Sequence, residues 1–308
     1  MNHLPIEAIL PDLKAVMKSG RNAVIQAPPG AGKTTGVPLA LKDEEWLTGR
    51  TVLMLEPRRL AARAAAARMA ALLHEPIGRT VGYRIRLDSK VGPETRIEVL
   101  TEGILTRRIQ NDPGLDGVGL VIFDEFHERS LHADLGLALC LDSQAALRQD
   151  LRIVVMSATL QSGSVAALLG HAPVLSASGL AYPVETRYRP PQRPNVRQGA
   201  SAFRERDVVQ AVHAALAEHA GNVLVFLPGA PEIRRVAGLL VESGLGPDTI
   251  VAPLYGMLPR EAQDRAIEAP PRDKRKVVLS SALAETSLTI EGITVVIDSG
   301  LMRVPRYD

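Results

Sequence analysis

Leu120-Val121-Ile122-Phe123-Asp124-Glu125-Phe126-His127 joins an uninterrupted apolar run to an acidic pair. A run without polar alternation reads as a strand buried on both faces, as in a parallel sheet covered by helices. The two carboxylates then stand at the C-terminal edge of the sheet, where open α/β folds place their ligands. One carboxylate can hold a metal ion while the next orients or deprotonates water, the division of labour in nucleotide hydrolysis. Acidic pairs end strands often by chance, so this reading needs a phosphate cradle elsewhere in the chain.

The cradle is upstream. Ala23-Val24-Ile25-Gln26 reads as a short buried strand, followed by Ala27-Pro28-Pro29-Gly30-Ala31-Gly32-Lys33-Thr34-Thr35. Gly30 and Gly32 let the backbone turn its N–H groups inward, a concavity suited to phosphate oxygens. A helix starting near Thr34 and running to Pro38 or beyond presents its N-terminus to the same charge. Lys33 is placed to reach the β- and γ-phosphates and the Thr34 hydroxyl to ligate Mg²⁺, with Asp124 as the second protein ligand. Ala27 stands where the G-x-x-x-x-G-K-[ST] pattern has its first glycine. A bare glycine-rich turn with a solvated lysine explains less of this segment than nucleotide binding does.

The 308 residues suffice for two domains with separate cores, and 46% hydrophobic with 23% charged residues is a globular balance. A net charge of +2 means that any nucleic-acid binding must come from a local basic groove. Cys140, the only cysteine, cannot form an internal disulfide and reads as a small buried hydrophobe, which suits a cytoplasmic protein. No apolar stretch approaches membrane-spanning length.

Apolar runs at 23–26, 52–55, 97–100, 120–123 and 153–156 alternate with Ala- and Leu-rich helical stretches, the pattern of a parallel sheet with helices on both faces. A first domain is expected over 1–180 and a Pro/Arg-rich linker over 181–200, whose arginines are either solvated surface or phosphate contacts. Strand-like runs resume at 222–227, 249–252, 277–280 and 294–298 in a second α/β domain over 201–308, without a second Gly-Lys-Thr.

Further segments carry a specific resemblance. Pro57-Arg58-Arg59-Leu60-Ala61-Ala62-Arg63, Gly82-Tyr83-Arg84-Ile85-Arg86, Thr101-Glu102-Gly103, Asp124 to Ser130 and Ser157-Ala158-Thr159 resemble, in order, the first-domain motifs of DEAH-box helicases of superfamily 2. Phe226-Leu227-Pro228-Gly229 and Ala284 to Ile290 with Gly292-Ile293-Thr294 resemble motifs IV and V of the second domain. Phe126 in place of Ala, with Arg303-Val304-Pro305-Arg306, resembles the bacterial HrpB-type branch.

The resemblance implies two tandem RecA-like domains, an ATP-dependent RNA helicase activity and a cytoplasmic monomer. ATP with Mg²⁺ is the implied cofactor, other nucleoside triphosphates staying open, and single-stranded RNA the implied partner, with DNA not excluded. Lys33, Asp124, Glu125 and His127 would be catalytic, residues Ala27 to Thr35 would bind nucleotide, and Arg68 would stack on adenine. Ser157, Ala158 and Thr159 would couple hydrolysis to the strand, which Arg58, Arg59, Thr101 and Thr286 would contact. Each has a plainer alternative: Arg58 and Arg59 as solvated charges, Arg68 snorkelling over an Ala-rich helix, His127 as a core histidine, and Ser157 or Thr159 as a helix cap.

Three departures qualify the resemblance. Ser280-Ser281-Ala282 stands where motif V has Ala-Thr-Asn, and Leu301 stands where an aromatic completes the adenine sandwich, so comparable KM values for ATP and GTP are expected. The arginine motif that follows motif V is absent before Asp308. The expectation is therefore the N-terminal part of a longer helicase, with an incomplete second domain that binds nucleotide but hydrolyses it slowly. The alternative is a nucleotide-gated RNA-binding fragment with little hydrolysis.

Overall fold

The computed structural model describes residues 4–158, 162–179, 183–189, 205–284, 288 and 290–303. Thr159 and Thr286, most of the 181–200 segment and Val304 to Arg306 lie outside the described residues. The chain divides into two compact units, Met1–Pro183 and Val184–Asp308.

In the first unit the strands are β1 (Ala23–Gln26), β2 (Thr51–Glu56), β3 (Val81–Ile85), β4 (Asp88–Lys90), β5 (Ile97–Thr101), β6 (Val118–Phe123), β7 (Arg152–Ser157) and β8 (Val174–Ser176). The helices are α1 (Leu10–Lys18), α2 (Lys33–Leu41), α3 (Arg59–Leu72), α4 (Glu102–Asn111), α5 (Leu131–Ala146) and α6 (Ser162–Leu168). The strands lie side by side as β4-β3-β5-β2-β6-β7-β1-β8. Every β6 residue is buried, which is the physical content of its unbroken apolar run. Residues of one strand alternate between two cores. Val52 and Met54 of β2 pack with α2 and α3, whereas Leu53 and Leu55 pack with α4 and α5. Alanines 62, 65, 66 and 70 let α3 approach the sheet closely, and Arg68 is exposed on its other face.

One feature departs from an all-parallel sheet: β4 pairs antiparallel with β3 and extends the edge. Gly82 is required there, because a Cβ would meet Lys90 O at 2.4 Å. The helix after the phosphate loop begins at Lys33 and runs past Pro38 to Leu41, within the expected range.

The second unit orders its strands β10-β11-β9-β12, all parallel: β9 (Asn222–Phe226), β10 (Thr249–Leu254), β11 (Arg275–Ser280) and β12 (Ile293–Asp298). Its helices are α7 (Glu205–Glu218), α8 (Ala230–Glu242) and α9 (Arg260–Ile267). The buried Lys276 closes α9 by donating from Nζ to the carbonyls of Arg265 (2.7 Å), Ala266 (3.4 Å) and Glu268. A cation at carbonyls that have no intrahelical donor fits the negative end of a helix. Arg187 and Arg189 pair with Glu218 of α7 at 3.3 and 3.0 Å, so these two arginines of the expected linker have a local protein partner.

Candidate nucleotide-hydrolysis site

Four neighbouring strands, β2-β6-β7-β1, end together at the C-terminal edge of the first sheet. Glu56 ends β2, Asp124 follows β6, Ser157 ends β7 and Ala27 follows β1. Strands about 4.8 Å apart bring all four ends within roughly 15 Å. Backbone bonds tie them together: Asp124 N donates to Leu55 O at 3.1 Å, and Ala27 N donates to Ser157 O at 3.1 Å.

The phosphate loop has the expected shape. Gly30 and Gly32 adopt φ of +77° and +87°. At Gly32 an added Cβ would also come within 2.7 Å of Leu4 Cδ1, so the left-handed backbone and close packing both demand glycine. Pro29 and Gly30 are exposed at the loop tip, and Ala31 is buried beneath it. Ala27, in place of a first glycine, is 1% exposed and belongs to the core under the loop.

The loop and the acidic box meet directly. Thr34 Oγ1 donates to Asp124 Oδ2 at 2.5 Å, and Lys33 Nζ pairs with Glu125 Oε1 at 3.0 Å with both side chains nearly buried. Glu125 N donates to Asp124 Oδ1 at 2.8 Å. Glu125 itself lies in the left-handed region, with φ +47°, a conformation that non-glycine residues hold only where their surroundings enforce it. This turns the next three residues into a single 3-10 turn, Phe126–Glu128. Phe126 plugs the turn into the core edge-to-face on Phe123, with centroids 6.0 Å apart.

His127 Nδ1 accepts from the Ala158 N–H at 3.3 Å and stands 3.4 Å from Glu125 Oε2. A nitrogen that accepts from an amide has no proton to give a carboxylate, so the Glu125 approach is a contact rather than a second hydrogen bond. The DEFH box is thereby linked to Ser157-Ala158, where the coupling segment was expected. On the other side of the same turn, Glu128 pairs with Arg58 at 3.4 Å. Arg58 is thus partly buried and held by the acidic box, while Arg59 is exposed at the start of α3. Thr101 ends β5, half-buried, as the N-cap residue of α4. Arg68 is exposed along α3.

Glu56 was not expected. It is 1% exposed, and its carboxyl lies against that of Asp124 with no other hydrogen-bond partner among the described residues. Burial, then the neighbouring Asp124 and Glu125 carboxylates, pushes it well above the usual carboxylate range. Burial and then Glu125 push Asp124 up to about 6, with Lys33 and Thr34 opposing. Three carboxyl groups therefore share one buried ammonium, Lys33. The signal for Glu56 was present in the sequence: a carboxylate at the end of an apolar strand, the pattern already used for Asp124.

This donor set suits magnesium. Among the described residues no three His, Cys, Asp or Glu side chains form a protein-only metal cage. Magnesium normally takes one or two protein oxygens plus phosphate oxygens and water, and the paired Thr34 hydroxyl and Asp124 carboxylate are oxygens of that kind.

Comparison with known proteins decides the family. Residues 8–168 match the DEAD/DEAH box helicase model, and residues 206–306 match the helicase conserved C-terminal domain. The chain belongs to the DEAD/DEAH box helicases. It is 49% identical to the ATP-dependent RNA helicase HrpB of Escherichia coli, over all of this chain and 37% of that protein. It is 34% identical to the ATP-dependent RNA helicase HrpA of Borreliella burgdorferi, over 99% of this chain and 36% of that protein. A crystal structure of E. coli DEAH/RHA helicase HrpB superposes with a TM-score of 0.87 at 48% identity, covering 99% of this chain and 38% of the other. The chain thus spans little more than a third of the length of these relatives. The HrpB-type resemblance and the tandem helicase domains stand. No helix among the described residues is long and apolar enough to cross a membrane.

Proposed function

We propose that this chain is the nucleotide-driven core of an RNA translocase, binding a magnesium–nucleoside triphosphate, with ATP the expected one, at the phosphate loop and hydrolysing it with Glu125. The observation that carries the proposal is the direct joining of loop to acidic box through Lys33–Glu125 and Thr34–Asp124.

Magnesium, when bound, would draw charge from the phosphate oxygens while Thr34 and Asp124 hold it. Lys33 is already aimed at the site, and a phosphate that takes its ammonium releases Glu125. The freed carboxylate is then available to orient and deprotonate the attacking water. This exchange makes the base available only when nucleotide is present. The backbone N–H groups around Gly30 to Lys33 and the N-terminus of α2 supply fixed dipoles for the phosphates.

Coupling runs through the Phe126–Glu128 turn. One end meets Ala158 through His127, and the other meets Arg58 through Glu128. A phosphate of the strand that draws Arg58 from Glu128 would pull on the same turn that carries Glu125. Arg58, Arg59, Thr101 and Thr286 would grip the backbone without reading bases, so binding should be nearly sequence-independent and weaken with salt. Thr159 would act with Ser157 and Ala158 in coupling, and Arg68 would stack on the base.

RNA is the favoured strand because the curated relatives are named RNA helicases. The test is phosphate release from Mg–ATP with no nucleic acid, with single-stranded RNA and with single-stranded DNA of equal length. Release stimulated by RNA is expected. Equal rates in all three would overturn the coupling to nucleic acid, and stimulation by DNA alone would overturn the choice of strand.

A further inference from the structure

Two helices of the first unit start beside the acidic box. α4 begins at Glu102, straight after Thr101 ends β5, and α5 begins at Leu131, just past the Phe126–Glu128 turn. The two pack closely. Leu105 and Ile109 share a core with Ala133 and Leu137, and a Cβ added at Gly136 would come within 3.3 Å of Leu105 Cδ2. In a close-packed interior a shift of one helix is passed to the other.

Their first turns are also joined by one hydroxyl. Ser130, the N-cap residue of α5, accepts from the Ala133 N–H at 2.9 Å and donates to Glu102 Oε2 at 2.5 Å. A serine cap needs only the first of these bonds. A glutamate in the first turn of a helix is favoured by the helix dipole wherever its carboxylate points. Neither preference accounts for the joining of the two side chains, both half-buried. Thr101, the N-cap residue of α4, does not commit its hydroxyl to the amides of that helix. On the other side of the clasp, Arg129 lies over the Phe126 ring at 5.7 Å and pairs with Asp134 at 2.8 Å, which ties Ser130 to the turn. The Phe126–Glu128 turn is thus tied to Ala158 through His127, to Arg58 through Glu128, and to the start of α4 through Ser130.

We propose that Glu102 is a positioning residue that couples strand binding to the hydrolysis site: it carries a displacement of the Thr101 segment, through the Ser130 hydroxyl, to the turn that holds Glu125. It acts through Ser130 and not by contact with strand or nucleotide. The hydrogen bond is the carrier, and it does not depend on charge, because an amide oxygen at position 102 accepts from Ser130 as a carboxylate oxygen does. This inference rests on the proposed nucleotide and strand sites.

The test measures the affinity of the 308-residue chain for a fluorescent single-stranded RNA, without nucleotide and with a saturating non-hydrolysable Mg–ATP analogue. The ratio of the two dissociation constants is the coupling between the sites. A change of charge at position 102 alters RNA affinity in both states and cancels from that ratio. Wild type, Glu102→Ala, Glu102→Gln, Ser130→Ala and Glu102→Ala/Ser130→Ala are compared, each with a thermal melt and its analogue affinity without RNA. Loss of one link in a coupling network changes the coupling roughly 2–30-fold. Glu102→Ala is expected to bring the ratio closer to one by about three-fold or more, with analogue affinity without RNA held within about two-fold. Glu102→Gln should keep the wild-type ratio, and the double variant should match Glu102→Ala. A smaller change in Glu102→Ala would overturn the proposal, as would the same loss in Glu102→Gln. So would a fall in analogue affinity without RNA that parallels a fall in melting temperature, the mark of a purely structural role. If wild type binds the analogue with a ratio of one, this inference falls while the nucleotide site stands. If wild type binds no analogue, the nucleotide site falls and this inference with it.

Discussion

Lys33→Ala removes the buried ammonium that pairs with Glu125 beside Glu56 and Asp124. The ammonium and the Glu125 carboxylate are 3.0 Å apart, with side chains 4% and 10% exposed. At an effective dielectric constant of about 20, their attraction is roughly 5 kcal/mol. Losing the ammonium also removes its own cost of desolvation, so the net loss is smaller. Removing one partner of a buried pair typically costs about 3–5 kcal/mol, and because partial protonation of the carboxyls relieves the remainder, about 3 kcal/mol is expected here. For a unit of this size that corresponds to a melting temperature lower by about 6–12 °C. The double variant Lys33→Ala/Glu125→Gln removes both charges and should recover most of that loss. Neither variant should bind nucleotide, because the phosphates lose their ammonium in both. Thermal melts report stability and a fluorescent ATP analogue reports binding. The reasoning fails if Lys33→Ala melts within 2 °C of wild type, or if the double variant melts below the single one.

Two further predictions concern groups away from the nucleotide. Lys276→Met leaves the last carbonyls of α9 without their donor, which should cost the second unit about 2 kcal/mol. Its melt should show that loss, with nucleotide affinity unchanged within two-fold. Asp150 is held well below the usual carboxylate range, chiefly by hydrogen bonds from Arg148 at 2.8 and 3.1 Å. A lowered folded-state pKa contributes stability above the unfolded value near 4 that is lost as pH falls towards the folded one. Asp150 is 43% exposed, so screening limits the effect to no more than about 1 kcal/mol. Asp150→Asn should therefore be slightly less stable than wild type at pH 5–7, and the two melts should converge between about pH 4 and 2.

The main strands were legible because buried parallel strands are unbroken apolar runs, as in Leu120 to Phe123 and Val223 to Leu227. The phosphate loop was legible because its glycines do work that no other residue can. What escaped had no such signal. In β3 and β4, Gly82 is set by the close approach of the Lys90 backbone and Arg84 by its ion pair with Glu98 of β5, neither of them an apolar signal. β8 spans only Val174–Ser176 at the sheet edge and is partly exposed. The roles of Lys33, Thr34, Asp124 and Glu125 could be anticipated from pattern, but their pairing could not, since Thr34 and Asp124 are 90 positions apart. Arg58 was read as a strand contact, and its partner Glu128, 70 positions away, came only with the fold. Glu56 was overlooked because it lies just past the apolar run 52–55, and its place beside Asp124 came only with the register of β2 on β6.

The most direct measurement is γ-phosphate release from saturating Mg–ATP in the presence of single-stranded RNA, comparing wild type with Glu125→Gln, with nucleotide binding measured on both. If Glu125 is the group that activates water, Glu125→Gln should bind nucleotide at least as well as wild type, because Lys33 is freed for the phosphates. Its release should fall by about 10²-fold or more, the scale of a lost general base. Equal release by the two proteins would contradict hydrolysis at this site.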